Sequence, residues 1–219
     1  MVKGISLKVC ENVLVYYGTN LPYHRGKWRI IDNLLRLLPA LKNGRRRVMR
    51  KGIMWELDLE DLIQRYICFG YYEPWETDYF KRIIKSGDII IDVGANIGYY
   101  SLLGGKLVGA NGIVYAFEPE ENSFKQLSRH IRINGMDWVN PNQLALGDKI
   151  GQLCMTAVLK TNRGVQRVAT SKDQGVTKVD VTTLDELESR TNIDHLNLIK
   201  VDIEGSEFKF LKGAMNVIY

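Results

Sequence analysis

The fold is decided by the stretch DIIIDVGANIG at residues 88–98. Its β-branched run over 89–93 is typical of a parallel strand that is buried on both faces. Gly94 and Gly98 predict a tight turn directly after this strand, because glycine adopts backbone conformations that other residues avoid. The apolar residues 99–108 then predict a helix. A strand, a glycine turn and a helix in this order predict the first unit of a parallel α/β sheet.

Downstream of this unit, the alternation of strands and helices continues. The pattern predicts parallel strands at 113–117, 143–146 and 196–202, helices at 121–134, 184–189 and 207–217, and antiparallel strands at 152–160, 165–170 and 177–182. We therefore predict a Rossmann-like α/β fold in which helices cover both faces of a parallel sheet. The antiparallel strands form an insert before the fourth parallel strand, and the residues after that strand leave no room for further strands.

The residues before the sheet predict a mainly helical N-terminal extension at 1–86, followed by the sheet domain at 87–219. A helix ended by Pro39 is indicated by apolar residues at helical spacing, namely Trp28, Ile31, Leu34, Leu35 and Leu38. The other predicted elements of the extension are a basic turn at 43–47, a strand at 53–59 and helices at 60–69 and 76–85.

Positive charge is concentrated in this extension. The 219 residues include 30 lysines and arginines against 25 aspartates and glutamates, and 16 against 9 of these precede residue 88. A basic surface attracts polyanions or anionic membranes. Peripheral membrane contact through this region is therefore one hypothesis, and a solvated surface is the alternative. The sequence has no RNA-recognition or zinc-finger signature, so we expect no nucleic-acid partner.

Cysteine usage and hydropathy predict a cytoplasmic protein. The three cysteines form no CxxC pair, which argues against a disulfide scaffold or a zinc ribbon. No apolar run reaches the ~18–20 residues that span a bilayer. Residues 1–10 also lack the features of a signal peptide.

Three of the predicted parallel strands end in a carboxylate. Asp92, Glu118 and Asp202 occupy these positions, and open α/β sheets bind their ligands at the carboxyl ends of the strands. A carboxylate at Glu118 can accept hydrogen bonds from two ribose hydroxyls. It follows Gly94 by 24 residues, close to the ~20 of dinucleotide folds. The sequence therefore predicts a ligand that contains a nucleoside.

Two nucleoside ligands compete for this site. A dinucleotide loop reads GxGxxG and binds a pyrophosphate at a helix N-terminus, whereas Asn96 here takes the place of the middle glycine. Asp92 would also direct negative charge at a phosphate. S-adenosylmethionine has no phosphate and carries a sulfonium and an ammonium group, which acidic neighbours attract. The residues favour S-adenosylmethionine, with an NAD-dependent oxidoreductase as the alternative. Close packing of strand against helix is an alternative use of the glycines.

The sequence resembles the FkbM-type family of class I S-adenosylmethionine-dependent methyltransferases over residues 49–214. The resemblance rests on an ordered set of motifs, GYYEP at 70–74, GDIIIDVGANIGYY at 87–100, VYAFEP at 114–119, TLDEL at 183–187 and IKVDIEGSE at 199–207. The ordered set is more specific than any single motif. It implies a class I sheet of seven strands, of which four can be placed here, so the C-terminal strands are missing from this chain.

The resemblance also implies an activity and a set of cofactor contacts. The family is associated with O-methylation of hydroxyls on sugars, glycolipids and secondary metabolites, so the expected acceptor is a small molecule or a glycan. Glu118 is implied to hold the ribose, and Ala145 and Leu146, at the end of the third strand, to lie near the adenine. Tyr72 and Glu73 are implied to fold over the cofactor. The full implied set is Tyr72, Glu73, Asp92, Gly94, Ala95, Asn96, Gly98, Glu118, Pro119, Ala145 and Leu146.

Positioning supplies much of the rate of methyl transfer, and a hydroxyl nucleophile also benefits from a nearby base. The candidate catalytic residues are the acids in and after the turn that follows the fourth strand, Asp202, Glu204 and Glu207, with Asp202 expected nearest the methyl group. Glu207 has the alternative of a first-turn acid that stabilises its helix. The same oxygens are alternative ligands for Mg²⁺, although we expect no metal.

The alternative to an enzyme is a non-catalytic, truncated cofactor-binding module whose basic arm contacts an anionic partner. The predicted sheet has an open edge beside its fourth strand, and open edges are usually covered. An oligomer or a partner that covers this edge is therefore a further hypothesis.

Overall fold

A computed structural model describes residues 6–21, 24–156, 177–191 and 195–218. The chain divides into two compact units, the first reaching Tyr79 and the second beginning at Phe80. The predicted domain boundary between residues 86 and 87 stays a prediction. The predicted strand at 165–170, and the end of the one at 152–160, lie outside the described residues.

The first unit consists of helices and one β-hairpin. Its elements are α1 (Leu7–Asn20), α2 (Lys27–Leu37), a 3-10 helix (Pro39–Lys42), β1 (Arg45–Arg50), β2 (Ile53–Asp58), α3 (Leu62–Phe69) and α4 (Pro74–Ile83), which continues into the second unit. The prediction of a basic turn at 43–47 is wrong, because β1 begins at Arg45 and pairs antiparallel with β2. Alternate residues of β2 are buried, so pairing with this strand overrides the weak strand preference of an arginine run.

The predicted amphipathic helix is α2, with a narrower buried face than expected. Ile31 and Leu35 are buried, whereas Trp28 and Leu34 are exposed. Helix α1 was not predicted as a separate element of the mainly helical extension. None of the helices in the described ranges combines the length and the hydropathy needed to cross a bilayer. The partners of the basic N-terminal region stay a prediction.

The second unit contains the predicted alternation of strands and helices. Its elements are β3 (Ile89–Val93), α5 (Tyr99–Val108), a 3-10 helix (Gly109–Asn111), β4 (Ile113–Phe117), α6 (Glu121–Asn134), β5 (Val139–Asn142), β6 (Ala145–Leu146), β7 (Gly151–Met155), β8 (Thr177–Thr182), α7 (Leu184–Thr191), β9 (Leu198–Val201), α8 (Glu207–Lys212) and α9 (Met215–Ile218). The bounds of β3, α5, β4 and α6 agree with the prediction.

A four-stranded parallel sheet in the order β5-β4-β3-β9 forms the core of this unit. Alternate residues of β3 face opposite layers. Ile91 and Val93 pack with Leu184 of α7 and Phe210 of α8, whereas Ile90 lies beside Gly104 of α5. Helices therefore cover both faces of the sheet, which confirms the predicted α/β fold class.

The third parallel strand differs from the prediction of a strand at 143–146. It is β5, and it ends at Asn142, while Ala145 and Leu146 form β6 in a separate three-stranded sheet with β8 and β7. Pro141 lies within β5 and has no N–H group to donate. It is tolerated because β5 is an edge strand of the sheet that the described residues form, where proline costs the sheet less.

The last predicted helix, at 207–217, is interrupted. A Cβ at Gly213 would overlap the carbonyl oxygen of Gly147, so the chain passes the neighbouring backbone too closely for another residue. The interruption separates α8 from α9, and Asp185 of α7 accepts hydrogen bonds from the backbone N–H groups of Asn216 and Val217. On the other side of the sheet core, β9 pairs with β3, and no strand of the described residues pairs with its opposite edge.

Candidate functional site

The carboxyl ends of β3, β4 and β9 bring three acidic residues into one region. Asp92 lies in β3, Glu118 directly follows β4, and Asp202 directly follows β9. The backbone N–H of Asp202 donates to the carbonyl of Val93 at 3.0 Å. Asp92 is also close enough to Glu118 that its negative charge raises the pKa of the Glu118 carboxyl.

The glycine loop between β3 and α5 is closely packed at both of its glycines. Gly94 has φ +78°, and a Cβ there would overlap the backbone carbonyl of Asp202. Gly98 has φ +95°, and a Cβ there would lie 2.6 Å from side-chain carbons of Leu102 and Leu127. At Gly98 the close neighbours are helix side chains, as the strand–helix packing alternative expects, whereas at Gly94 the close neighbour is the turn after β9. The cofactor contacts of both glycines stay predictions.

The Glu118 carboxylate holds this loop. Its Oε2 accepts a hydrogen bond from the backbone N–H of Asn96 at 2.7 Å, and its Oε1 accepts one from that of Glu120 at 2.9 Å. Asn96 has φ +50°, and this bond stabilises its unusual conformation. Each carboxylate oxygen can accept a second hydrogen bond, so the group retains capacity for a ligand.

Burial dominates the protonation of Glu118, which is 7% exposed. It raises the pKa of the Glu118 carboxyl to about 7, although the backbone hydrogen bonds from Glu120 and Asn96 act to lower it. The neighbouring carboxylates of Glu120 and Asp92 raise this pKa further. Glu118 therefore changes charge near neutral pH.

Asp92 is the most deeply buried acid of the site, at 1% exposure. Its Oδ2 accepts a hydrogen bond from the Ser101 hydroxyl at 2.6 Å. Its Oδ1 has no hydrogen-bond partner among the described residues. That oxygen is compensated by the ammonium of Lys200 at 3.3 Å, an ion pair without hydrogen-bond alignment.

The turn after β9 carries the three candidate catalytic acids in different settings. The side chain of Asp202 is 55% exposed, and its Oδ2 lies 3.5 Å from Lys200 Nζ. Glu204 is exposed, and Glu207 accepts a hydrogen bond from the backbone N–H of Gly205 at 3.1 Å. Within the described ranges, no three His, Cys, Asp or Glu side chains form a group that could hold a metal ion. The catalytic roles stay predictions.

The family comparison covers most of the second unit. Residues 92–219 match the profile of the Methyltransferase FkbM domain, which is more than half of the chain and begins at Asp92. The chain belongs to the FkbM methyltransferase family. The resemblance that the motifs indicated is confirmed.

Two curated methyltransferases and one solved structure are similar to parts of this FkbM-family chain. Hexuronic acid methyltransferase AglP of Haloferax volcanii is 29% identical, over 65% of this chain and 58% of that protein. Methyltransferase 1 of Beauveria bassiana is 30% identical, over 57% of each. The chain therefore spans somewhat more than half the length of these relatives. The crystal structure of Methyltransferase FkbM from Methylobacillus flagellatus KT has 19% identity over 85% of this chain and 46% of that chain, with a TM-score of 0.42.

The remaining residues of the second unit that the FkbM resemblance implies as cofactor contacts differ in burial and position. Ala95 is buried, and its N–H donates to the carbonyl of Phe117 at 2.9 Å. Pro119 is half-buried directly after Glu118. Leu146 belongs to the apolar core, and neither it nor the half-buried Ala145 lies at the end of the third parallel strand as predicted. Their cofactor contacts stay predictions.

Tyr72 and Glu73 belong to the first unit and precede α4. Glu73 has φ +38°, which is a rare conformation for a residue other than glycine. Its carbonyl accepts a hydrogen bond from the N–H of Thr77, at 2.9 Å, in the first turn of α4. The expected contact of Tyr72 and Glu73 with the cofactor stays a prediction.

Three residues of this FkbM site were not assigned a role from the sequence. Ser101 and Lys200 contact Asp92, and Asn142 accepts a hydrogen bond from the Glu118 N–H at 3.0 Å through its carbonyl. Ser101 could have been found from its position in the first turn of the helix after the loop. Lys200 required the strand order, because only the pairing of β3 with β9 puts it opposite Asp92.

Proposed function

We propose that this chain is an S-adenosylmethionine-dependent methyltransferase that acts on a hydroxyl of a sugar or a small metabolite. Membership of the FkbM family supports the reaction class. The observation that carries the proposal is Glu118, a buried carboxylate at the end of β4 that is fixed by two backbone N–H groups. A fixed acceptor at this position suits the paired hydroxyls of a ribose.

The charges of the site support a cationic cofactor. Asp92 and Asp202 contribute two carboxylates, and Glu118 contributes a third as the pH rises above about 7, against the ammonium of Lys200. The Oδ1 atom of Asp92 is buried without a hydrogen bond from the described residues and is balanced by the ion pair with Lys200. Such a cluster attracts a sulfonium and an ammonium, and it repels a pyrophosphate. The residues present thus fit S-adenosylmethionine better than NAD.

The residues have distinct roles in the proposed reaction. The glycine loop and Glu118 bind and orient the nucleoside, and Asp202 receives the proton that the acceptor hydroxyl loses. When bound, S-adenosylmethionine supplies an activated methyl group, which becomes bonded to the acceptor oxygen while the electron pair of the methyl–sulfur bond stays on sulfur. Asp202 suits the role of base because its side chain is half exposed, so an acceptor can reach it.

A sugar acid is the acceptor class that the relatives favour. AglP is named as a hexuronic acid methyltransferase, and its similarity extends over 65% of this chain. We therefore choose free hexuronic acids, and oligosaccharides that contain them, as the first acceptors to test. Neutral sugars and phenolic metabolites form the comparison panel.

Calorimetric titration tests the cofactor. The chain is expected to bind S-adenosylmethionine and its demethylated product with dissociation constants in about the micromolar range, and to show no heat with NAD at the same concentration. Binding of NAD in preference to S-adenosylmethionine would support the oxidoreductase instead. Tight binding of S-adenosylmethionine without transfer to any acceptor would support the non-catalytic module.

The variant Asp202→Asn tests the base. Asparagine keeps the size of the side chain but accepts no proton, so turnover with a hexuronic acid acceptor should fall by about 10²–10⁴-fold. The dissociation constant for S-adenosylmethionine should stay within about threefold of the wild-type value. Turnover is measured with methyl-labelled cofactor at saturating acceptor.

The matched control for Asp202→Asn is Asp148→Asn, the same change at an exposed position of the second unit. This control should retain wild-type turnover. Equal turnover of Asp202→Asn and wild type under saturation would remove Asp202 from the catalytic role.

A further inference from the structure

Lys200 joins the two sides of the site through a single ammonium group. It lies on β9 directly opposite Asp92, and its Nζ is 3.3 Å from Asp92 Oδ1 and 3.5 Å from Asp202 Oδ2. The same nitrogen is 3.5 Å from the carbonyl oxygen of Gly94. The Nζ atom therefore contacts β3, the glycine loop and the turn after β9 together.

The surroundings of this ammonium limit its hydration. The Lys200 side chain is 18% exposed, and its Nζ lies 5.1 Å from the centre of the Tyr100 ring. The Tyr100 ring is buried and packs edge-on against Tyr99 and Phe80. Charges in such a partly desolvated place interact more strongly than charges in water.

The charge of Lys200 acts differently on S-adenosylmethionine and on its demethylated product. S-adenosylmethionine carries a positively charged sulfur, which becomes neutral once the methyl group has left. With Lys200, the group formed by Asp92, Asp202 and this ammonium has a net charge of one negative unit. Without Lys200 it has two, which increases the attraction for the charged sulfur but adds nothing for the neutral one.

We propose that Lys200 is a specificity-determining residue whose charge limits the preference of the site for the cationic cofactor over its neutral demethylated product. This inference rests on the proposed function of the site. The ammonium compensates Asp92 and Asp202 after the positive charge on sulfur has gone. It also repels that charge before transfer, so it brings the affinities for cofactor and product closer together.

The test compares two dissociation constants in each variant. The measured quantity is the dissociation constant for the demethylated product divided by that for S-adenosylmethionine. We expect Lys200→Met to raise this ratio by about three- to thirtyfold. One unit charge acting over roughly 8 Å has an effect of this size when the effective dielectric constant lies between about 20 and 80. The ratio is informative because a general disturbance of the site weakens both ligands and cancels. Lys200→Gln, a polar neutral variant, should shift the ratio in the same direction and serves if Lys200→Met does not fold.

Two further variants test whether the ratio of the dissociation constants depends on the charge at Lys200. The other possible causes are the replacement of the side chain itself and the net charge of the chain. Lys200→Arg keeps the charge and should keep the wild-type ratio. Lys106→Met removes one positive charge from an exposed position in the last turn of α5, away from the glycine loop where that helix begins. It should also keep the wild-type ratio.

The outcomes distinguish this inference from the proposed function. If the wild-type chain does not bind S-adenosylmethionine, both are overturned. If it binds but the neutral variants at Lys200 show an unchanged or lowered ratio, this inference alone is overturned. An equal shift in Lys106→Met would likewise overturn it, because net charge rather than the position of Lys200 would then be responsible.

Discussion

Replacing Glu118 by glutamine is expected to weaken the binding of S-adenosylmethionine by about ten- to a hundredfold at pH 8. An ionised carboxylate is a stronger acceptor for hydroxyls than an amide, and hydrogen bonds to charged groups contribute about 1.5–3 kcal/mol. Glutamine also places an NH₂ group against a backbone N–H, because Asn96 and Glu120 donate to both oxygens of the native carboxylate. The loop that Glu118 holds would then be less well fixed.

The wild-type affinity should itself depend on pH through Glu118. Because burial raises the pKa of this carboxyl to about 7, the group binds a proton below that pH and loses acceptor strength. The affinity for S-adenosylmethionine should therefore rise by up to about tenfold per pH unit from about pH 5.5 to 7, and level off above that range. Titrations in matched buffers measure this slope, and Glu118→Gln should abolish it.

The free energy of unfolding should fall as the pH rises, whereas the affinity for S-adenosylmethionine should increase. A carboxyl whose pKa is raised in the folded state stabilises the fold fully at pH values below its unfolded pKa, which is about 4.5 for Glu118. This contribution is lost as the pH rises through about 7, and its size is about 3 kcal/mol. Chemical denaturation across this range should show the free energy of unfolding declining more in the wild-type chain than in Glu118→Gln.

The matched control for Glu118 is Glu121→Gln, three residues away in the first turn of α6. The Glu121 side chain is 62% exposed and pairs with Lys125 on the surface. This variant should retain both the affinity and its pH dependence. Wild-type binding by Glu118→Gln at pH 8, or a pH-independent wild-type affinity, would contradict the role of Glu118 as the ribose acceptor.

Local sequence signals were sufficient to predict the structure where one residue type determines the backbone conformation. The run of isoleucines in β3 and the glycines that follow it predicted a buried strand, a turn and a helix, and the structure has these bounds. Asp92, Glu118 and Asp202 could be placed near each other because parallel strands end at a common edge. Their chemistry followed from their positions along the chain.

Local signals failed where pairing partners decide the structure. β1 is rich in arginine and forms a strand because β2 offers a partner with a buried face. β5 contains Pro141 between two asparagines, a sequence with little strand preference, and its strand conformation depends on the pairing with β4. Lys200 was overlooked as a site residue for the same reason, since the sequence does not state that β9 lies beside β3.

Gly94→Ala is expected to destabilise the second unit by roughly 2–5 kcal/mol, the combined cost of an unfavourable backbone conformation and an overpacked contact. Gly94 has φ +78°, and an added Cβ would overlap the carbonyl oxygen of Asp202. The position of the added Cβ is fixed by the backbone of residue 94, and the atom that it meets belongs to the backbone of Asp202. No rotation of a side chain can therefore relieve the overlap. The loop and the turn after β9 would have to separate, which also moves Asp202 away from Asp92.

The control for Gly94→Ala is Gly109→Ala, which isolates the conformational cost. Gly109 has φ +67° and ψ −172°, and a Cβ there would meet no atom within 4 Å, so its substitution should cost only the backbone strain, about 1–3 kcal/mol. Urea denaturation of both variants measures the difference, and titration with S-adenosylmethionine shows whether the loop still binds. If Gly94→Ala costs no more than Gly109→Ala and binds the cofactor normally, the glycine loop does not pack on the Asp202 backbone as closely as the structure shows. If Gly94→Ala is destabilised more than Gly109→Ala and no longer binds S-adenosylmethionine, the contact between the glycine loop and the turn after β9 holds the two parts of the site in place.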